Sequence, residues 1–225
     1  MSNMRRYSCR AILQRVIAGG PERKTRIHDE EGNCLDARGL SYAPRTFGEA
    51  AMRVIFGLRP ERPWISYRAT DRIATYLRPT WRVAEFGSGM STLWFARRVA
   101  FLLSIEANPY WHGVIARRLA HRNAPHVRHE LRARAYYSDL SEFPDEYFDF
   151  VLVDGEMRRD CVRNAIPKLV RGGLVYLDNT DKRGDPSVAK AELLDAVQER
   201  AGSYEYFLDF VPCQLIANQG LLARL

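Results

Sequence analysis

Short apolar runs alternate with segments of helical spacing from about residue 69 to the end of the chain. The runs are rich in β-branched and aromatic residues, which favours strands, whereas the helical segments repeat apolar residues every three or four positions. The predicted strands are 82–86, 101–106, 126–131, 148–154, 174–178, 204–211 and 221–225, and the predicted helices are 69–77, 91–99, 110–122, 160–169 and 187–200. This alternation predicts an α/β fold with a parallel sheet covered on both faces. No helix separates the last two strands, which predicts an antiparallel hairpin at one edge.

The first 62 residues lack the alternation of strand and helix patterns that marks the rest of the chain. Residues 4–18 form a basic amphipathic pattern with one apolar stripe, which predicts a helix. Residues 19–39 are polar and contain glycine, proline and charged residues, which predicts a loop or linker, and 49–58 is again helical in pattern. The sequence therefore predicts an N-terminal helical and loop extension over 1–62 and a second domain over 63–225.

The predicted helix at 4–18 is too short to be stable alone in water, so it is expected to pack on another surface. That surface is its own domain, a second subunit in a homodimer, or an anionic membrane. The stripe lacks the Trp and Phe residues that anchor helices in membrane interfaces, which favours a protein surface.

Charge and hydropathy exclude several classes of protein. The longest uncharged apolar run, 99–105, is far shorter than the ~20 residues of a membrane-spanning helix. Arginines interrupt the region where a signal peptide would have its apolar core, so a cytoplasmic protein is expected. The four cysteines are too scattered for a zinc knuckle or a disulfide framework.

The formal net charge is +7, and all but four of the 34 basic side chains are arginine. They are spread along the chain rather than clustered, so nucleic acid is not the expected partner. Arginine binds carboxylate and phosphate groups in a bidentate manner, so an anionic small molecule is compatible with this composition.

A glycine-rich turn follows the first predicted strand. Glu85 lies near the end of that strand, Gly87 and Gly89 form the turn, and a helix begins after it. Glycines let the backbone approach a ligand closely. A fold that binds a nicotinamide dinucleotide needs a third glycine, but Thr92 occupies that position, and Glu85 would repel a pyrophosphate. The pattern instead suits a ligand with a cationic amino-acid end and no phosphates, such as S-adenosylmethionine.

Further acidic positions end later predicted strands. Glu106 lies 21 residues after Glu85, where a carboxylate can accept both ribose hydroxyls of an adenosine. Asp154 and the pair Asp178–Asn179 lie at the carboxyl ends of two more strands. Ligands bind at this edge of an open α/β sheet, so these side chains are expected to meet at one site.

Four segments together resemble the ordered motifs of class I S-adenosylmethionine-dependent methyltransferases. They are Glu-Phe-Gly-Ser-Gly-Met-Ser-Thr at 85–92, Ser-Ile-Glu-Ala-Asn at 104–108, Val-Leu-Val-Asp-Gly-Glu at 151–156 and Arg-Gly-Gly-Leu-Val-Tyr-Leu-Asp-Asn at 171–179. The resemblance spans about 63–225 and implies a Rossmann-like, seven-stranded, mostly parallel sheet with an antiparallel C-terminal hairpin and helices on both faces. It implies methyl transfer to a small-molecule or glycan-type acceptor. Two alternatives stay open: a cofactor-binding regulatory protein without turnover, and a nicotinamide-dependent oxidoreductase.

The resemblance also implies roles for single residues. The expected cofactor-binding residues are Glu85, Gly87, Ser88, Gly89, Ser91, Thr92, Glu106, Ala135 and Asp154. Glu85 would neutralise the ammonium group of the cofactor, and Ser91 or Thr92 would reach its carboxylate. Glu106 would hold the ribose, and Asp154 would act as the catalytic base or as a metal ligand.

Asp154, Asp178 and Asn179 also resemble the Mg²⁺ ligands of catechol-type O-methyltransferases, which favours oxygen as the accepting atom. Oxygen ligands suit that ion. That subfamily has a catalytic lysine three residues after the first aspartate, and Met157 stands there in this chain. A metal-dependent and a metal-free site are therefore both open. The expected substrate contacts are Trp64, Arg158 and Asn179.

Overall fold

The computed structural model describes residues 22–225, so the predicted helix at 4–18 lies outside the described residues. The strands are β1 (Arg82–Phe86), β2 (Phe101–Glu106), β3 (Val127–Leu131), β4 (Phe148–Val153), β5 (Leu169–Asp178), β6 (Ser203–Val211) and β7 (Gln214–Arg224). They form one sheet in the order β3-β2-β1-β4-β5-β7-β6. Strands β1 to β5 are mutually parallel, and β7 is antiparallel to both β5 and β6. The predicted Rossmann-like sheet with a C-terminal hairpin is confirmed.

Helices cover both faces of the sheet, as predicted. They are α1 (Ala37–Leu40), α2 (Ala43–Phe56), α3 (Tyr67–Tyr76), α4 (Met90–Phe95), α5 (Pro109–Ala120), α6 (Arg158–Ala165) and α7 (Asp185–Glu199). Helices α6 and α7 pack on one face, and α3 and α4 pack on the other. Because β1 and β4 are buried on both faces, their apolar residues run continuously instead of alternating. Among residues 22–225, no helix is both long enough and apolar enough to cross a bilayer.

The C-terminal hairpin is longer than predicted. Strand β7 begins at Gln214, so most of the predicted loop 212–220 is strand. That segment is polar, yet Gln219 is only 7% exposed. The Thr180 hydroxyl donates a hydrogen bond to the side-chain oxygen of Gln219 at 2.8 Å. The side-chain nitrogen of Gln219 donates to Asp29 at 3.1 Å. These tertiary hydrogen bonds hold a polar segment in the sheet, and local periodicity gives no sign of them.

The described part of the extension packs on the hairpin edge of the sheet. Leu35 lies in one buried cluster with Phe210 of β6 and Ala217 of β7. Nearer the start of the described chain, the Arg23 guanidinium lies 3.3 Å from the Asp181 carboxylate, just beyond the end of β5. The polar stretch that was predicted as a loop or linker therefore reaches the carboxyl ends of the strands.

Candidate active site

Two adjoining cavities lie at the carboxyl ends of the parallel strands. The first, here the glycine-loop cavity, measures about 480 Å³ and is lined by Gly87–Ser91, Glu106, Trp111, Tyr137 and the loop 154–156. The second, here the polar cavity, measures about 400 Å³ and is lined by Arg23, Glu30, Asp178, Asn179, Lys182 and Asn218, with further apolar residues. Trp64 and Asp154 line both cavities and so form the boundary between them.

A larger cavity of about 760 Å³ lies at the opposite edge, where the parallel strands begin. Arg171, Arg200 and Arg224 line it, and none of the predicted site residues does. Ligands of open α/β sheets bind at the carboxyl ends of the strands, so the candidate site is placed at the two smaller cavities.

Two glycines let the loops after β1 and β4 pack backbone against backbone. Gly87 has a φ of +98°, and a Cβ there would lie 2.8 Å from the carbonyl oxygen of Asp154. A Cβ on Gly155 would overlap the hydroxyl of Tyr137 and lie 3.0 Å from the nitrogen of Gly87. Loop packing is therefore a reason for glycine at position 87, in addition to the ligand access that the sequence indicated.

Glu85 and Thr92 are fully buried and line neither cavity. One oxygen of Glu85 accepts hydrogen bonds from the Thr92 hydroxyl at 2.6 Å and the Ser104 hydroxyl at 2.7 Å. The Thr92 oxygen in turn accepts from the backbone N–H of Gly89 at 3.0 Å, at the start of α4. The structure thus places Glu85 and Thr92 as supports of the glycine loop. Of the two residues predicted to reach a carboxylate, only Ser91 lines the cavity.

Burial raises the pKa of Glu85 from 4.5 to about 7, against the hydrogen bonds from the hydroxyls. A raised folded-state pKa means that the folded chain binds more protons than the unfolded chain, so this contribution to stability is greatest below pH 4.5 and is lost as the pH rises through 7. Glu85→Gln removes the penalty of burying a carboxylate. We expect its stability relative to wild type to rise by about 2 to 3 kcal/mol between pH 5 and pH 8.

Urea unfolding of both proteins at pH 5, 6, 7 and 8 measures this difference. A stability difference that is the same at every pH would contradict a buried, titrating Glu85. Glu142→Gln, at an exposed ion pair with Arg128, controls for the change of net charge.

Glu106 ends β2 with its carboxylate held in place. One carboxylate oxygen accepts from the backbone N–H groups of Ala107 at 2.9 Å and Asn108 at 2.8 Å. Burial raises the pKa of Glu106, and the backbone donors oppose that rise. The side chain is 8% exposed and lines the glycine-loop cavity, so an oriented acceptor of hydrogen bonds stands at the predicted position.

Sequence reasoning missed two aromatic residues of this cavity. Ala135 lies exposed in a 3₁₀ turn and does not line the cavity, whereas Tyr137 is buried and does. Trp111, in the first turn of α5, donates its ring N–H to the carbonyl of Ser88 at 2.5 Å. Asn108 could have indicated Trp111 in the sequence. Asn108 is a helix N-cap residue two positions after Glu106, so it places Trp111 in the first turn of α5, near the end of β2.

The structure brings Asp154, Asp178 and Asn179 together. A side-chain hydrogen bond links the two aspartates. The Asn179 amide donates to Asp178 at 2.7 Å, and the Asn218 amide donates to the other oxygen of Asp178 at 2.8 Å. Burial and the neighbouring Asp154 raise the pKa of Asp178 well above its ordinary value.

Two cations reach the same cluster. The Lys182 ammonium donates to the Asn179 side-chain oxygen at 2.8 Å. The Arg158 guanidinium donates to the same oxygen at 3.1 Å and lies 3.5 Å from the Asp154 carboxylate. Arg158 lines neither cavity, so the structure places this predicted substrate contact behind Asp154 and Asn179.

These residues do not fit the predicted Mg²⁺ site. A divalent cation on the Asn179 oxygen would meet an ammonium and a guanidinium that already bond to it, and both oxygens of Asp178 already accept amide hydrogens. Among the described residues, no group of three or more His, Cys, Asp or Glu side chains is placed to hold a metal ion.

The strand order, the glycine loop after β1 and the acidic residue ending β2 together define the fold of class I S-adenosylmethionine-dependent methyltransferases. No protein-family model matches the chain, and no curated protein matches its sequence.

Solved methyltransferase structures are similar to this chain. One is an rRNA methylase from Streptococcus thermophilus, with 13% identity over 70% of this chain and 94% of that one, at a TM-score of 0.56. Another is precorrin-6y C5,15-methyltransferase from Geobacter metallireducens, with 16% identity, coverage of 70% and 88%, and a TM-score of 0.53. A third is a putative methyltransferase from Streptococcus mutans in complex with SAH, with 10% identity, coverage of 69% and 94%, and a TM-score of 0.51. At these identities the likeness shows the fold alone.

Proposed function

We propose that this protein transfers a methyl group from S-adenosylmethionine to an oxygen atom of a small-molecule acceptor. The cofactor would bind in the glycine-loop cavity and the acceptor in the polar cavity. The observation that carries the proposal is that these two cavities, of different character, meet at Asp154 and Trp64. S-adenosylmethionine supplies a methyl group on a sulfonium, whose transfer by in-line displacement depends on the alignment of donor and acceptor.

The residues of the glycine-loop cavity fit this cofactor. Glu106 offers an oriented carboxylate for ribose hydroxyls, and Trp111 and Tyr137 offer flat apolar walls for a purine ring. The ring N–H of Trp64 is buried and has no hydrogen-bond partner among the described residues. A buried donor without a partner is costly, and a bound ligand would satisfy it. Ser88 and Ser91 complete the polar lining near the glycine loop.

Asp154 is the proposed catalytic residue. Its side chain is 26% exposed and lines both cavities. Burial raises its pKa, which brings the carboxylate closer to the basicity that a general base needs near neutral pH. The acceptor oxygen would bond to the methyl carbon as the carbon–sulfur bond breaks with its electron pair left on sulfur, and Asp154 would take the hydroxyl proton.

The extension over 1–62 is proposed to shape the acceptor side. Arg23 and Glu30, from its described part, line the polar cavity together with residues at the ends of β5 and β7. A cavity of about 400 Å³ is the size of a small-molecule site. The methyltransferase domain proper would then begin near residue 63, at the Trp64 boundary between the cavities.

Calorimetry with S-adenosylhomocysteine tests the cofactor assignment directly. We expect saturable binding with one ligand per chain, and thermal stabilisation of several degrees at saturation, because the ligand binds only the folded chain. NADH should give no stabilisation, since Thr92 stands where a dinucleotide-binding loop has its third glycine. Mass spectrometry of the purified protein would show the same ligand if it is carried through purification.

Stabilisation by NADH and not by S-adenosylhomocysteine would favour an oxidoreductase and contradict the proposal. Binding of S-adenosylhomocysteine without methyl transfer to any member of a hydroxyl-containing metabolite library would favour a regulatory protein that has the methyltransferase fold.

A further inference from the structure

Lys182 carries a positive charge that no carboxylate of residues 22–225 neutralises by an ion pair. Its ammonium lines the polar cavity and donates to the neutral side-chain amide of Asn179 at 2.8 Å. Arg23, the other cation that lines this cavity, lies 3.2 Å from Glu30 and 3.3 Å from Asp181. Arg23 is therefore paired with carboxylates, whereas Lys182 is not.

The carboxylates nearest to Lys182 are engaged by other groups. The Arg158 guanidinium lies 3.5 Å from the Asp154 carboxylate. The amides of Asn179 and Asn218 donate to the two oxygens of Asp178. Among residues 22–225, the Lys182 ammonium thus faces the polar cavity with the neutral amide of Asn179 as its hydrogen-bond partner.

We propose that Lys182 binds a carboxylate oxygen of the acceptor, beside Asp154. An ammonium has three N–H donors, and the structure uses one of them on Asn179. Hydrogen bonds between an ammonium and an anionic oxygen are among the strongest available to a protein. Val211 and Ile216 provide an apolar part of the same cavity, so the acceptor would combine a carbon skeleton with one anionic oxygen.

The same arrangement disfavours a divalent cation at Asn179. Two protein cations already donate to the Asn179 oxygen, and Lys182 faces the cavity. This inference rests on the proposed function, because it takes the polar cavity as the acceptor site.

A matched pair of probes tests the role of Lys182. The probes are 4-hydroxybenzoate and its neutral amide, 4-hydroxybenzamide, and each is titrated by calorimetry into the protein saturated with S-adenosylhomocysteine. We expect the carboxylate to bind about tenfold or more tightly than the amide. Lys182→Met should abolish the preference, and Lys182→Arg should keep part of it. Lys190→Met is the control, because Lys190 pairs with Glu31 on the surface and lines neither cavity.

The outcomes separate this inference from the proposed function. Normal binding of S-adenosylhomocysteine with no preference between the two probes, or a preference that survives in Lys182→Met, overturns the role of Lys182 alone. Failure of wild type to bind S-adenosylhomocysteine overturns the proposed function. Addition of Mg²⁺ or EDTA should leave the affinity for 4-hydroxybenzoate unchanged, and a gain of tenfold with Mg²⁺ would show that a metal completes the site.

Discussion

Gly87→Ala is expected to abolish binding of S-adenosylhomocysteine and to lower the free energy of unfolding by about 2 to 5 kcal/mol. Two effects add. The φ of +98° is strained for any residue with a Cβ, and that Cβ would lie 2.8 Å from the carbonyl oxygen of Asp154 and 2.9 Å from the Cα of Gly155. These are backbone atoms, so they can move only if the loops after β1 and β4 separate. That separation would open the floor of the glycine-loop cavity.

Gly172→Ala measures the backbone strain of a positive φ without the contact between the two loops. Gly172 also has a positive φ, +74°, but a Cβ there would meet nothing within 4 Å. We expect this variant to lose only about 1 to 2 kcal/mol and to bind S-adenosylhomocysteine like wild type. Urea unfolding and calorimetry measure both quantities. If the two variants lose equal stability and Gly87→Ala still binds the ligand, the contact between the two loops does not shape the cavity.

Glu106→Ala is expected to weaken binding of S-adenosylhomocysteine by about 1.5 to 3 kcal/mol, a rise in Kd of about 10- to 150-fold. The carboxylate is pre-oriented by the backbone N–H groups of Ala107 and Asn108, so it accepts ribose hydroxyls without first being ordered. Glu106→Gln retains one acceptor oxygen, so it should lose less affinity for S-adenosylhomocysteine than Glu106→Ala.

Glu156→Ala is the matched control for Glu106. Glu156 lines the same cavity but is exposed to solvent, so its removal changes the charge of the cavity without removing an oriented acceptor. We expect its effect on Kd to be under threefold, because exposed charges contribute little. Equal losses in Glu106→Ala and Glu156→Ala would mean that the general charge of the cavity, and no specific bond to ribose, determines affinity.

The order of elements was predictable in large part because the central strands β1, β2 and β4 are buried on both faces. Val83, Phe86 and Phe150 are fully buried, and such residues leave an apolar run that is visible in the sequence. The ends of these runs also located Glu106, Asp154 and Asp178, because a residue at the end of a parallel strand lies at the ligand-binding edge regardless of its partners.

Roles that depend on tertiary neighbours were not predictable in this way. The hydroxyl of Thr92 points to Glu85, which the spacing of the motif does not reveal. Tyr137 follows an irregular turn, where no periodicity marks which side chain turns inward. Arg23 reaches the polar cavity from far along the chain, and only the folded extension shows this contact.

Trp64 forms part of the wall of both cavities, so under the proposed function the binding of cofactor and the binding of acceptor would be linked. A ligand that shifts the indole ring from one side changes the affinity on the other side, and linkage requires the change to be reciprocal. The guanidinium of Arg53 lies 5.5 Å above the indole ring, so helix α2 is coupled to the same shift. Under the proposed function, the order in which the two ligands enter and leave would then depend on the position of this one tryptophan ring.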